Sequence, residues 1–182
     1  MSDAAAELVE FLRTENLERA KAQHQVLVLA GAVAAASASI GADRLRNEPE
    51  LLALLSLLFV GFWLTILRHD LDIQFNLEFI VSNDTLGAHK AIQAAYEAFR
   101  FMDMAGTPWK WMVSSLTTVG LYGVPVLGSI VFGIAALQSK HTAIAVGLLL
   151  IALLMFLAAA VISAISVRLY IKLGRAAVAL GT

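Results

Sequence analysis

Apolar residues fall into four long runs, at 25–42, 51–67, 111–139 and 142–167. Each approaches or exceeds the roughly 20 residues with which a helix crosses the hydrocarbon of a bilayer. Two short polar turns and one long polar connector, 68–110, separate the runs. The pattern predicts an all-α integral membrane protein with four transmembrane helices arranged as two antiparallel hairpins. An N-terminal amphipathic helix over 1–24 precedes them, and a tail over 168–182 follows.

Ser2 is placed to cap the first helix, with Asp3 and Glu7 at the positive end of its dipole. Leu8, Phe11 and Leu12 lie on one side, and Glu15 and Arg19 stand four apart in the favourable order. Such a helix leads into the membrane through water, or lies at the interface or against a neighbouring subunit.

The first run is rich in small residues. Gly31, Ala35 and Ser39 recur every four positions on one face, which lets helix backbones approach closely where lipid removes the hydrophobic drive. This span is expected inside the bundle or at a subunit contact. The second run carries Leu with Phe59, Phe62 and Trp63. These bulky residues suit lipid contact, with Trp63 as an interfacial anchor. In the third run Pro125 removes a backbone hydrogen bond, so Gly120, Gly123 and Pro125 are the candidate bend or hinge. The fourth run carries no charge, is greasy over Leu148 to Leu157, and turns to small residues afterwards.

The connector begins at Arg68 with alternating apolar positions, which suit a strand. A helix is preferred, because nothing breaks the chain between Leu67 and Val81 and a lone strand would leave its backbone unpaired. On that helix Ile73, Leu77 and Ile80 share a face with Asp70, and Asp72, Asn76 and Phe79 share another. A turn at Ser82-Asn83-Asp84 follows, with Ser82 or Asp84 capping the next helix. Over Leu86 to Met104 the residues Ile92, Tyr96 and Phe99 form the apolar stripe of an amphipathic helix and are the candidate partner-docking face. The two pieces make a helical hairpin.

Composition agrees with a membrane protein: 59% of residues are hydrophobic and 15% charged, against about 45–50% and about 25% in soluble domains. The net charge of −1 supplies no field for nucleic acid. The absence of cysteine excludes disulfides, thiol catalysis and cysteine metal sites. Ten of the thirteen Lys and Arg residues lie in the two ends and the connector, and three in the short turns. The positive-inside rule therefore puts both termini and the connector in the cytoplasm, in a plasma or bacterial inner membrane.

Chemistry is sparse. Arg68, His69, Asp70 and Asp72 form a juxtamembrane polar cluster that offers a divalent cation or acid–base chemistry. On a helix, however, Asp70 and Asp72 diverge by about 200°. The plainer expectation is helix polarity, with one aspartate paired to a nearby base. No span contains a charge, and no phosphate loop, zinc motif or nucleophile elbow is present. No catalytic, cofactor-binding or metal residue is expected. The layout, without any shared motif, resembles small four-span bacterial membrane proteins, including membrane subunits of phage-defence systems. The sequence is thus read as a non-enzymatic, self-associating four-span membrane protein whose cytoplasmic hairpin senses or binds a partner and perturbs or gates the membrane, with the kinked third helix moving when the hairpin is engaged. The alternatives are an oligomeric channel or small transporter, and a membrane anchor for a soluble protein.

Overall fold

The computed structural model describes the backbone of residues 3–40, 47–83, 86–106, 108–139 and 142–181. It describes their side chains except at 3–4, 88, 99–121, 174 and 176–181. The elements are α1 (Asp3–Ile40), α2 (Pro49–Ser82), α3 (Ala88–Gly106), α4 (Pro108–Gln138) and α5 (Ala143–Gly181). Among the described residues there is no strand. Three helices among the described residues are long and apolar enough to cross a membrane, over Ala5–Ile40, Pro49–Ser82 and Ala143–Leu173. Among the residues whose side chains are described, α4 contributes the apolar stretch Tyr122–Gln138.

Local chemistry explains the boundaries. Pro49 opens α2, where its missing N–H would be unpaired in any case. Thr142 caps α5: its Oγ1 accepts the Ala145 N–H at 3.1 Å. The connector continues α2 as a helix through Ser82. The Ser82 hydroxyl donates to the Phe79 carbonyl at 3.4 Å, so it closes α2 and does not cap α3. Asp84, the alternative cap, lies outside the described residues. Gly87 then turns the chain with φ of 51°, a left-handed conformation that glycine takes without strain.

Two of the expected membrane boundaries fall inside continuous helices. The N-terminal helix and the first apolar run are one uninterrupted α1, and α5 runs through the tail to Gly181. Neither junction contains a proline or a turn sequence, so each helix propagates. At 38 residues, α1 is about 57 Å long, well beyond the roughly 30 Å of a hydrocarbon core.

Contacts divide the chain into two compact units. One comprises Met1–Ala22, Arg68–Leu116 and Ala164–Thr182, and the other Gln23–Leu67 and Thr117–Ser163.

In the second, apolar unit α2 is central. Half of its most apolar stretch is buried, against 17% for those of α1 and α5. Phe59 is fully buried; it stacks on Phe132 at a centroid distance of 5.5 Å and meets Phe62 edge-on at 5.8 Å. Trp63 packs against Ala159 and edge-on to Phe156 at 5.1 Å. This corrects the expectation that these aromatics face lipid. Small residues on the neighbouring helices, Ala30, Gly128 and Ala159, leave room for rings, so the bulky face of α2 turns inward. On α1 the exposed small-residue face leaves the subunit contact of the two places expected for it. The inner face of α1 is Ala30, Val33, Ala34 and Ser37, whereas Gly31, Ala35 and Ser39 are exposed.

The contacts also fix direction within this unit. Leu52, Ala53 and Leu55 cluster with Ala136, and Trp63 with Tyr122 and Val126, so the described part of α4 runs antiparallel to α2. Ala145 joins the Leu52 end and Ala159 the Trp63 end, so α5 runs parallel to α2.

Among the described residues the first unit holds two small cores. Val9 and Leu12 of α1 pack with Ile80 and Leu86, and Val81 packs with Ala94 and Leu173. The α1 face is therefore Val9 and Leu12, not Leu8 and Phe11, which are exposed. On α2, Ile80 packs on the α1 side while Leu77 packs against the core of Val81, Ala94 and Leu173.

Candidate functional site

The polar side chains of the first unit form two seams, one on each flank of α2. On the α1 flank, Arg19 bridges two carboxylates. Its Nη2 lies 2.5 Å from Glu15 Oε1, and its Nη1 donates to Asp72. One turn further on, Asn76 donates to Asn16 Oδ1 at 2.9 Å and to Glu15 Oε2 at 3.4 Å. The planar guanidinium suits this arrangement, since its donors fork in fixed directions towards two acceptors. Arg19, Glu15 and Asp72 are each a quarter to a third exposed, so the bridge is only partly desolvated.

On the α5 flank, Asp70 Oδ2 accepts from the Ser166 hydroxyl at 2.7 Å and from Gln74 Nε2 at 2.9 Å. Gln74 Nε2 also donates to Ser166 Oγ at 2.7 Å, closing a three-membered ring of polar contacts. Further along, Lys172 donates to Glu78 at 2.8 Å. Asp70 and Asp72 thus face different helices, as the helical turn between them requires. Among the described residues no three His, Asp or Glu side chains converge to hold a metal.

The chain matches no protein-family model, no curated protein and no solved structure.

The residues singled out from sequence fall as follows. Arg68 is exposed, and His69 is half-buried with its Nδ1 buried and without a hydrogen-bond partner among the described residues. Neither joins the Asp70 or Asp72 contacts. Ile92 and Tyr96 are 61% and 58% exposed, while Gln93 and Glu97 on the same helix are buried and bonded to each other at 3.0 Å. Ile92 and Tyr96 therefore face out, while Gln93 and Glu97 face in beside Ala94 and Ala98. Phe99 lies outside the residues whose side chains are described. Pro125 is buried within α4, which is helical on both sides of it, and Gly123 is half-buried. The surroundings of Gly120 lie outside the described residues.

Sequence reasoning missed the contact that joins α2 to α4. A Cβ at Gly128 would stand 2.5 Å from the Phe59 ring, and one at Gly133 would stand 3.2 Å from Ser56 Oγ. Ser56 donates to the Ser129 carbonyl at 2.8 Å between them. Five-residue spacing of two glycines in an apolar run was the available signal. Beside this contact lies a groove of about 360 Å³, floored by Ser56 and Ser129 and walled by Ile134, Leu149, Leu153 and Phe156.

Proposed function

We propose that this chain is a non-enzymatic, four-span membrane protein that self-associates, and whose polar unit receives a partner or signal and alters the state of the apolar unit. The observation that carries the four-span reading is the pairing of α4 with α2. If the Leu52–Leu67 stretch of α2 crosses the bilayer, the α4 stretch lying antiparallel along it crosses too. The helical segments of the apolar unit support this. Segments 23–40, 49–67, 117–138 and 143–163 each extend about 27–33 Å, the thickness of a hydrocarbon core.

Self-association is supported by the exposed small-residue face of α1. A side chain at Gly31 would meet nothing within 4 Å inside the chain, so the face is open to a second helix. Partner binding is supported by the outward stripe of Ile92 and Tyr96. Pro125, Gly123 and Gly120 are the proposed bend through which α4 responds.

A second reading, an oligomeric channel or small transporter, requires assembly. The buried polar side chains of the apolar unit are Gln23, Ser37, Ser56 and Ser129 among the described residues. Each donates to a backbone carbonyl of a helix, Ser56 to that of Ser129, and no two of the four side chains bond to each other, so they form no chain of polar side chains through a single molecule. Leucine at both Gly31 and Ala35 tests the assembly. The variant is expected to shift from oligomer to monomer in native mass spectrometry from lipid nanodiscs while remaining folded. An unchanged oligomer would remove the α1 face from the interface.

A further inference from the structure

The groove in the apolar unit runs between α4 and α5 over the face of α2. Packing closes it at both ends, where Ala136 clusters with Ala145 and Val126 with Ala159. Between those ends the small residues Ser56, Ser129, Gly133 and Ala152 leave volume that no side chain of the unit fills. Along α5 the groove extends from Val146 to Phe156, about 15 Å of helix and half of a roughly 30 Å hydrocarbon core. Val146 lies in the first turn of α5 and Leu137 in the last turn of α4, so the groove starts beside the α4–α5 turn. Ile134 and Leu153, on its two walls, are 50% and 54% exposed, so it is open along its side.

We infer that this groove binds one acyl chain of a phospholipid, taken from the leaflet on the side of the α4–α5 turn. The inference rests on the proposal that α4 and α5 both cross the bilayer. Three observations select the occupant. The first is polarity. The two hydroxyls of the floor are already spent, Ser56 on the Ser129 carbonyl and Ser129 on the Val126 carbonyl, each at 2.8 Å. A bound water needs about 2–4 polar partners, whereas a hydrocarbon chain needs none. The second is width. A volume of about 360 Å³ spread along this length makes a slot narrower than the roughly 10–12 Å of a helix with its side chains, so a helix of a second copy does not enter it. The third is length. The groove spans one leaflet, the depth to which a phospholipid sends its chains, and Phe156 lies at its inner end. An unfilled groove would leave its walls without the dispersion contacts of a packed interior; a chain lying in it restores them and joins α4 to α5.

The test is native mass spectrometry of the full chain released from nanodiscs of a single phosphatidylcholine, activated until loosely held surface lipid is stripped. A single phosphatidylcholine per chain is expected to remain. It should be lost in Ala152→Leu, which fills the floor; should that variant fail to fold, Leu153→Trp, at the exposed wall, carries the comparison. Leu154→Trp is the control, since Leu154 is 68% exposed on α5 and does not line the groove; it should keep the lipid. Retention of no lipid by the wild-type chain would overturn the inference. So would lipid that persists undiminished in the filling variants, or that is lost equally in Leu154→Trp, either of which makes it surface lipid only. Chain-to-chain cross-linking through Leu153→Cys would put a second copy over the groove instead. The crossings are read separately, by labelling from either side of the membrane. A chain that retains no lipid while position 139 reacts from the side opposite position 91 therefore overturns the groove inference alone and leaves the spans standing.

Discussion

Alanine at Gly128 is expected to destabilise the protein by about 1–3 kcal/mol, although alanine normally exceeds glycine as a helix former by about 1 kcal/mol. The added Cβ would lie 2.5–2.7 Å from three atoms of the Phe59 ring. That ring yields only at a cost, because it is fully buried and in contact with Phe62 and Phe132. Either α4 moves away from α2 or the ring leaves its rotamer, and both lose contacts that a close-packed interior does not replace. Leucine at the same position should cost more and should separate the helices. Unfolding in mixed micelles at increasing denaturing detergent measures the loss. The control is Gly31→Ala, where nothing stands within 4 Å of the new atom; there the monomer's stability should change by no more than about 1 kcal/mol, in the stabilising direction. Phe59→Leu should restore part of the stability of Gly128→Ala, since the smaller side chain vacates the volume the methyl needs.

Arg19→Ala has the second largest expected effect. It removes the only cation described between Glu15 and Asp72 and leaves two carboxylates facing one another across the α1–α2 seam. Exposed ion pairs contribute about 0–1 kcal/mol, and breaking a fully buried one costs about 3–5 kcal/mol. Partners that are a quarter to a third exposed fall between, at about 1–3 kcal/mol. Arg19→Lys should recover less than half of the loss, because a single ammonium cannot fork to both acceptors. Asp72→Asn in the Arg19→Ala background should recover most of it by removing the repulsion. Raised salt should narrow the gap between wild type and Arg19→Ala. If Arg19→Ala unfolds at the wild-type midpoint, the bridge holds nothing together.

The helical character of the chain was legible in particular residues. The unbroken run from Leu67 to Val81 made α2 one helix, and the two-residue step from Asp70 to Asp72 sent the carboxylates to different neighbours. What could not be read was which medium each face meets. In a water-soluble helix an apolar stripe turns inward, but a helix in lipid is apolar on every side, so periodicity loses its direction. This is why Phe59, Phe62 and Trp63 looked suited to lipid and are buried, and why the Gly31, Ala35 and Ser39 face suited the bundle interior and a subunit contact equally and is exposed within the chain. Shape decides such cases: rings of α2 fit where Gly128 and Ala159 leave space. The same ambiguity affects α3, whose stripe was visible but whose outward direction was not. Arg19 with Asp72, and Gln74 with Ser166, join residues 53 and 92 positions apart, and no local pattern announces such pairs.

Everything functional depends on how many times the chain crosses the bilayer. With three crossings the two termini lie on opposite sides; with four they lie together. The absence of cysteine makes a direct measurement clean. Single cysteines at Ser2, Ala91, Ser139 and Thr182 can each be labelled with a membrane-impermeant maleimide, in intact and in opened vesicles. The expected result is that positions 2, 91 and 182 react from one side and position 139 from the other. Labelling of positions 2 and 182 from opposite sides, or of position 91 from the side of position 139, would contradict the four-span arrangement.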